Sequence, residues 1–266
     1  MATPPQRPSF PARIDLGTGN RPAGALGSAA QAPRPVVPSP AVPVAAPLRD
    51  PIPARARMVQ FLATEGISDV QVLRAMGTVD RHRFVDSALQ AQAYEDTALP
   101  IGLGQTISKP SVVARMTELL VQGGLRGEDG RLGRVLDIGT GCGYQAVLLG
   151  LLASEVYSIE RLRELHDKAR ANLRPLRIAN VHLILGDGMA GFAKGAPYAG
   201  IIAAAGGAAV PDAWIEQLAD GGRIVAPVAA SGAGQQALMV IDKSRNNVRQ
   251  TILETVNFVP LKSGIA

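Results

Sequence analysis

A chain of 266 residues, 47% of them hydrophobic, is long enough to bury a sizeable core and to form one or two domains. No apolar run nears the roughly 20 residues of a bilayer span, the first residues lack the apolar stretch of a secretory signal, and the lone Cys142 excludes an internal disulfide and fits a reducing cytoplasm. The net charge of +5 is concentrated in residues 1–54, which hold five Arg against two Asp, and the absence of a basic stripe elsewhere argues against a nucleic-acid or membrane partner.

Thirteen of the 20 prolines also fall in residues 1–54. Such a segment forms neither helix nor sheet and buries too little to offset its ordering entropy, so a Pro/Ala-rich disordered extension is expected there. A single domain is expected over 55–266, with helices and loops in 55–133 and a sheet in 134–266. "ARMVQFLATEGI" reads as an amphipathic helix. A second begins at Ser68, which forms a capping box with Gln71. Residues 81–94 suggest a short helical piece. "ALPIGLGQTISKP", 98–110, fits neither helix nor clean strand, and "SVVARMTELLVQGG" is again an amphipathic helix stopped by glycine.

From Arg134 the pattern becomes strand–helix alternation. "RVLDI", "EVYSIE", "VHLIL", "AGIIAAA" and "GRIVAPV" read as strands, with helices between them. Repeated βαβ units predict an α/β fold, a doubly wound and mostly parallel sheet. The end, "QQALMVIDKSRNNVRQTILETV", predicts a closing antiparallel hairpin with an Asn-Asn turn.

The first strand runs into Asp137-Ile138-Gly139-Thr140-Gly141-Cys142-Gly143. Alternate glycines let backbone approach a ligand, and a following helix N-terminus offers N–H groups. The spacing differs from a dinucleotide fingerprint, whose last glycine falls on Tyr144 here. Glu160, 21 residues after Gly139, ends the second strand, where a carboxylate can bind a ribose diol. Asp187 and Gly188, in "GDG" after the third strand, mark an adenine site. The arrangement resembles the Rossmann-like fold of S-adenosylmethionine-dependent methyltransferases. Cys142 reads as a packed loop residue rather than a nucleophile.

The segment "YEDTALPIGLGQTISKPSVVARMTELL" closely resembles the signature region of protein-L-isoaspartate O-methyltransferases, and the similarity continues through "VLDIGTGCGYQAVLL", "GDG", "QLADGGRIVAPV" and "FVPL". The resemblance implies transfer of methyl from S-adenosyl-L-methionine to isoaspartyl-containing proteins and peptides; a monomer is expected, although the sequence itself does not report oligomeric state. The resemblance also implies a catalytic Ser108, with Thr106, Ile107 and Lys109 at the substrate and Gly102 and Gly104 allowing an extended peptide to approach. Read on its own, Ser108 is also a candidate N-cap for the helix that follows. The cofactor would be held by Asp137, Gly139, Thr140, Gly141, Gly143, Glu160, Asp187 and Gly188. His82, His166 and His182 have no metal-like spacing, so no metal is expected. Lys109, Ala199 and Ala204 depart from the family pattern. Alternatives are a cofactor-binding protein without repair activity, and a methyltransferase for another acceptor. The Pro-Cys and Asn/Asp-Pro-Pro-Tyr motifs of nucleic-acid methyltransferases are absent, and no acidic Mg²⁺ set of the catechol type can be assembled.

Overall fold

Buried strands that carry apolar residues on both faces assemble into the centre of a parallel sheet, and the chain from Leu132 onward follows this rule. The computed structural model describes residues 51–230, 234–245 and 247–266. The expected disorder of the Pro-rich segment therefore lies outside the described residues up to Asp50. The strands are β1 (Leu99–Gly102), β2 (Gln105–Ile107), β3 (Leu132–Ile138), β4 (Ala153–Glu160), β5 (Val181–Leu185), β6 (Tyr198–Ala203), β7 (Leu218–Ala229), β8 (Gln236–Ser244) and β9 (Asn247–Val256). The α-helices are α1 (Pro51–Thr64), α2 (Val70–Thr78), α3 (Pro110–Gly123), α4 (Tyr144–Leu152), α5 (Arg163–Leu173) and α6 (Asp212–Gln217).

Seven strands form one sheet in the order β5-β4-β3-β6-β7-β8-β9. β3 to β7 run parallel, and β8 and β9 close the edge antiparallel. The chain steps from β3 outward to β5, then returns to the other side of β3 for β6. This reversal opens a crevice at the carboxyl ends of β3 and β6, where open α/β sheets bind ligands. Helix α4 is apolar on nearly every side because it lies between the sheet and the N-terminal helices, with Leu148 and Leu149 almost fully buried. Truncating either to Ala would cost about 2–5 kcal/mol. On the opposite face Trp214 of α6 packs with Leu136, Ile201 and Ile224.

Local starts and stops differ from the sequence expectations in physically clear ways. Helix α1 begins at Pro51, four residues before Arg55, because Pro51 and Pro53 lie in the first turn, where no N–H is needed. Helix α2 is capped by Asp69, whose carboxylate accepts the Gln71 and Val72 N–H groups. Ser68 instead gives its N–H and hydroxyl to the buried Glu118 of α3, at 2.7 and 3.1 Å. The 81–94 piece is two 3₁₀ turns, Arg81–Phe84 and Ser87–Gln92. The glycine-spaced stretch is an antiparallel hairpin, β1–β2, with Leu99 opposite Ile107. Its turn has φ of 103° at Gly102, 52° at Leu103 and 67° at Gly104, so the glycines serve the hairpin. At the far edge Ser244 pairs with Asn247, which places Asn247 within β9 rather than in the turn.

Candidate active site

The loop from Ile138 to Tyr144 takes its shape from contacts on both flanks. Gly141 has φ of 56°, and a Cβ there would stand 3.1 Å from Ile101 of the β1–β2 hairpin. Gly143 has φ of 92°, and a Cβ there would stand 2.5 Å from Leu173 of α5. Gly141 therefore lets the hairpin close over the loop, whereas Gly143 lets α4 and α5 pack. The N–H groups of Gly139 and Thr140 both reach the Ile159 carbonyl, at 2.9 and 3.1 Å, and that of Gly141 reaches Glu160. These amides preorganise the loop; they do not stand free for a ligand as the glycine pattern suggests.

Beneath the loop is a buried polar network. Asp137 accepts hydrogen bonds from Ser158 Oγ at 2.7 Å and Gln145 Nε2 at 2.8 Å. Because the Ser158 hydroxyl proton points to Asp137, the Thr140 hydroxyl donates to Ser158 Oγ across 2.6 Å. Burial pushes the Asp137 carboxyl up to about 6, against the lowering effect of its two donors. Glu160 is 6% exposed, and its two oxygens accept the Gly141 and Leu162 N–H groups, each at 2.9 Å.

Above this network lies a cavity of about 480 Å³. Gly139, Gly141, Glu160 and Gly188 form one wall, and Leu103 to Thr106 of the hairpin form another. Val259 to Lys262 close the third side. Gly188 is held by its carbonyl, which accepts the Trp214 indole N–H at 2.8 Å. The carboxylate of Asp187 faces elsewhere. It caps the turn by accepting the Met189 N–H and anchors the C-terminal segment by accepting the Gly264 N–H, at 2.9 and 2.7 Å.

A second cavity, of about 390 Å³, is lined by Thr106, Ser108, Lys109, Val112, Ala204 and residues 255–259. Thr106 and Ala204 border both cavities, and a narrow space of about 40 Å³ between Ile107, Ser108, Gly139 and Thr140 lies beside them. Ser108 does not cap α3. That position is Lys109, with no side-chain bond, and Asp96 serves the first turn by accepting the Ser111 N–H and hydroxyl, each at 2.8 Å. The Ser108 hydroxyl is thereby released from a helix-capping role.

The family model for protein-L-isoaspartate(D-aspartate) O-methyltransferase matches residues 54–266. The chain belongs to this family. It is 59% identical over 211 residues to a protein-L-isoaspartate O-methyltransferase of Leptothrix cholodnii, covering 79% of this chain and 74% of that protein. It is 51% identical over 261 residues to one of Methylibium petroleiphilum, covering 98% and 88%. A solved protein-L-isoaspartate O-methyltransferase superposes with a TM-score of 0.69 at 26% identity, covering 79% of this chain and 67% of that one. The fold is shared with a Plasmodium falciparum protein solved with S-adenosyl-L-homocysteine, described as a putative family member, at a TM-score of 0.66 and 23% identity, covering 78% and 98%.

Within this family framework the expected residues separate into three groups. Gly139, Gly141, Glu160 and Gly188 line the first cavity, and Thr106, Ser108 and Lys109 line the second, with Ile107 and Thr140 on the narrow space between. Asp137 and Gly143 support the loop from below, and Asp187 supports the wall. Of the two alanine departures, Ala199 is buried in β6, where it meets Gly133, while Ala204 sits where the cavities join. Sequence reading missed Arg161 and Leu162, which directly follow Glu160, and Leu165 and residues 259–262, which the folded chain brings to the cavity. S-adenosylmethionine fits these residues. The first cavity lies within the usual ~300–1,000 Å³ range for small-molecule sites, it has close backbone approach at Gly139 and Gly141, and each Glu160 oxygen keeps a lone pair for a hydroxyl.

Proposed function

We infer that this protein transfers the methyl group of S-adenosylmethionine to the free α-carboxylate of L-isoaspartyl residues in damaged proteins and peptides. The carrying observation is Ser108, which borders the second cavity beside Thr106, Ala204 and Val259, the residues that this cavity shares with the first. Gly139, Gly141, Glu160 and Gly188 would hold the cofactor, whose sulfonium supplies an already activated methyl. The acceptor carboxylate, with a reference pKa of about 3.5, is ionised at neutral pH, so the site needs no strong base. What the chain must supply is alignment and exclusion of water. Ser108 donates its hydroxyl proton to one carboxylate oxygen and leaves the other to attack. Thr106 and Ile107 shape the passage, and Lys109 places a cation beside the acceptor. Asp137 acts through Gln145, Ser158 and Thr140, keeping the loop in register.

The same reading has the enzyme work as a cytoplasmic monomer, without nucleic acid or membrane. It is supported by the lone Cys142 and the nearly balanced charge beyond residue 54. Among the described residues no helix is long and apolar enough to cross a membrane, and no cluster of three or more His, Cys, Asp or Glu could hold a metal ion.

The test uses methyl-labelled S-adenosylmethionine and two peptides that differ only in isoaspartate against aspartate. Base-labile methyl ester on the isoaspartyl peptide alone is expected. Cofactor binding with no transfer to either peptide would instead make the chain a binder or an enzyme for another acceptor.

A further inference from the structure

Arg81 is a fully buried cation, 0% exposed, in the 3₁₀ turn ahead of the hairpin. Its Nε donates to the Ala93 carbonyl at 2.7 Å, and its Nη2 donates to the Ser108 carbonyl at 2.8 Å, across 27 residues of sequence. Its guanidinium carbon lies 5.0 Å from the centre of the Tyr144 ring. Tyr144 is the first residue of α4, directly after Gly143 of the cofactor loop. The third nitrogen, Nη1, is buried without a hydrogen-bond partner. Among the described residues, no carboxylate forms an ion pair with this side chain. Asp96, the acid whose charge acts on it, is bound to Ser111.

A buried and unneutralised guanidinium is unfavourable beside an apolar side chain of similar volume. Packing alone therefore does not account for it. What a neutral side chain could not do is hold two carbonyls from separate segments while lying over an aromatic ring. One of those carbonyls belongs to Ser108, which stands between β2 and α3 and is part of neither.

We propose that Arg81 is a positioning residue for methyl transfer, fixing the Ser108 peptide against the helix that leaves the cofactor loop so that the Ser108 hydroxyl meets the acceptor carboxylate. This rests on the reading of Ser108 given above. Arg81 touches neither reactant; it connects the acceptor segment to the cofactor segment through Tyr144. Its loss moves Ser108 relative to the transferring methyl while the first cavity, bordered by other residues, stays intact.

Arg81→Met and Arg81→Lys test this. Met fills similar space without charge or donors, and Lys keeps the charge and donors but not the planar guanidinium fork. Methylation of an isoaspartyl peptide is followed in the parent and both variants, with S-adenosylhomocysteine affinity by calorimetry and thermal melts alongside. Arg81→Met is expected to lower kcat at least 30-fold, with cofactor affinity and peptide KM within threefold of the parent. Arg81→Lys is expected to recover at least threefold of that loss, a gain that volume-filling alone would not produce. The proposal is overturned by a kcat within threefold of the parent in folded Arg81→Met, by an Arg81→Lys no more active than Arg81→Met, or by cofactor affinity falling in step with kcat. Both variants unfolding at the assay temperature would also overturn it, by assigning Arg81 to the core alone. A parent that methylates neither peptide would sink the Ser108 reading and this inference together, and is told apart because the parent itself fails.

Discussion

Glu160 accepts the Gly141 N–H at 2.9 Å, so the carboxylate that borders the cofactor cavity also fixes the loop facing it. Its other oxygen accepts the Leu162 N–H. In Glu160→Gln one of these buried N–H groups meets an amide NH₂ and goes unpaired, at a cost of about 1–3 kcal/mol. The variant is expected to bind S-adenosylhomocysteine about 10–100-fold more weakly, a penalty of that same size, and to melt at a lower temperature. Isothermal titration calorimetry with thermal melts checks both. Parental affinity in a destabilised variant would restrict Glu160 to loop support.

Gly141 and Gly143 look equivalent in the sequence, and their alanine variants should separate them. Both lose the left-handed backbone at roughly 1–2 kcal/mol. In Gly141→Ala the new methyl lies 3.1 Å from Ile101, a buried residue that also lines the cavity, so cofactor affinity falls while the milder clash costs the core less. In Gly143→Ala it lies 2.5 Å from Leu173 and forces α4 from α5, so unfolding free energy falls by about 2–5 kcal/mol. Urea unfolding and calorimetric titration of the two variants should show opposite rankings. Equal loss of affinity in both would return Gly143 to the cofactor wall.

The parallel sheet was legible because buried strands such as "RVLDI" and "GRIVAPV" are short apolar runs separated by helical periodicity. Gly139, Gly141 and Glu160 were legible because strand-end positions reach the crevice through local geometry alone. The tie from Asp187 to the C-terminal segment was not legible, because its partner, Gly264, lies 77 residues away and nothing local signals it. Ser68 and Ser108 both look like helix caps; the folded chain brings Glu118 to the first, while Asp96 serves the helix after the second. Arg81 and Lys168, whose Nζ donates to the Ile101 carbonyl at 2.9 Å, are ordinary surface-type residues until the fold buries or docks them.

Ser108 and Asp96 stand at the same helix start with different duties, and alanine variants should divide activity from stability. Ser108→Ala removes no cap, so its unfolding free energy should stay within about 0.5 kcal/mol of the parent. Its methyl transfer to an isoaspartyl peptide should fall about 100-fold, the scale of one lost oriented donor. Asp96→Ala removes the acceptor for Ser111 and should lose about 1–2 kcal/mol of stability. A Ser108→Ala enzyme with parental kcat would remove Ser108 from the chemistry.

Asp137 makes stability fall as pH rises. Its carboxyl titrates at about 6 in the folded chain, mainly through burial, against a reference near 3.9 when unfolded. The folded state therefore favours the protonated form. That contribution is complete below about pH 4 and is lost as pH climbs through 6, amounting to up to about 3 kcal/mol. Asp137→Asn cannot ionise, so relative to the parent it should gain about 2 kcal/mol of that amount between pH 4.5 and 7.5, whatever its fixed offset from altered hydrogen bonding. Urea unfolding of both proteins across that range, compared as a difference, cancels the other titrating groups. A pH-independent difference would mean that Gln145 and Ser158 stabilise the carboxylate enough to offset its burial.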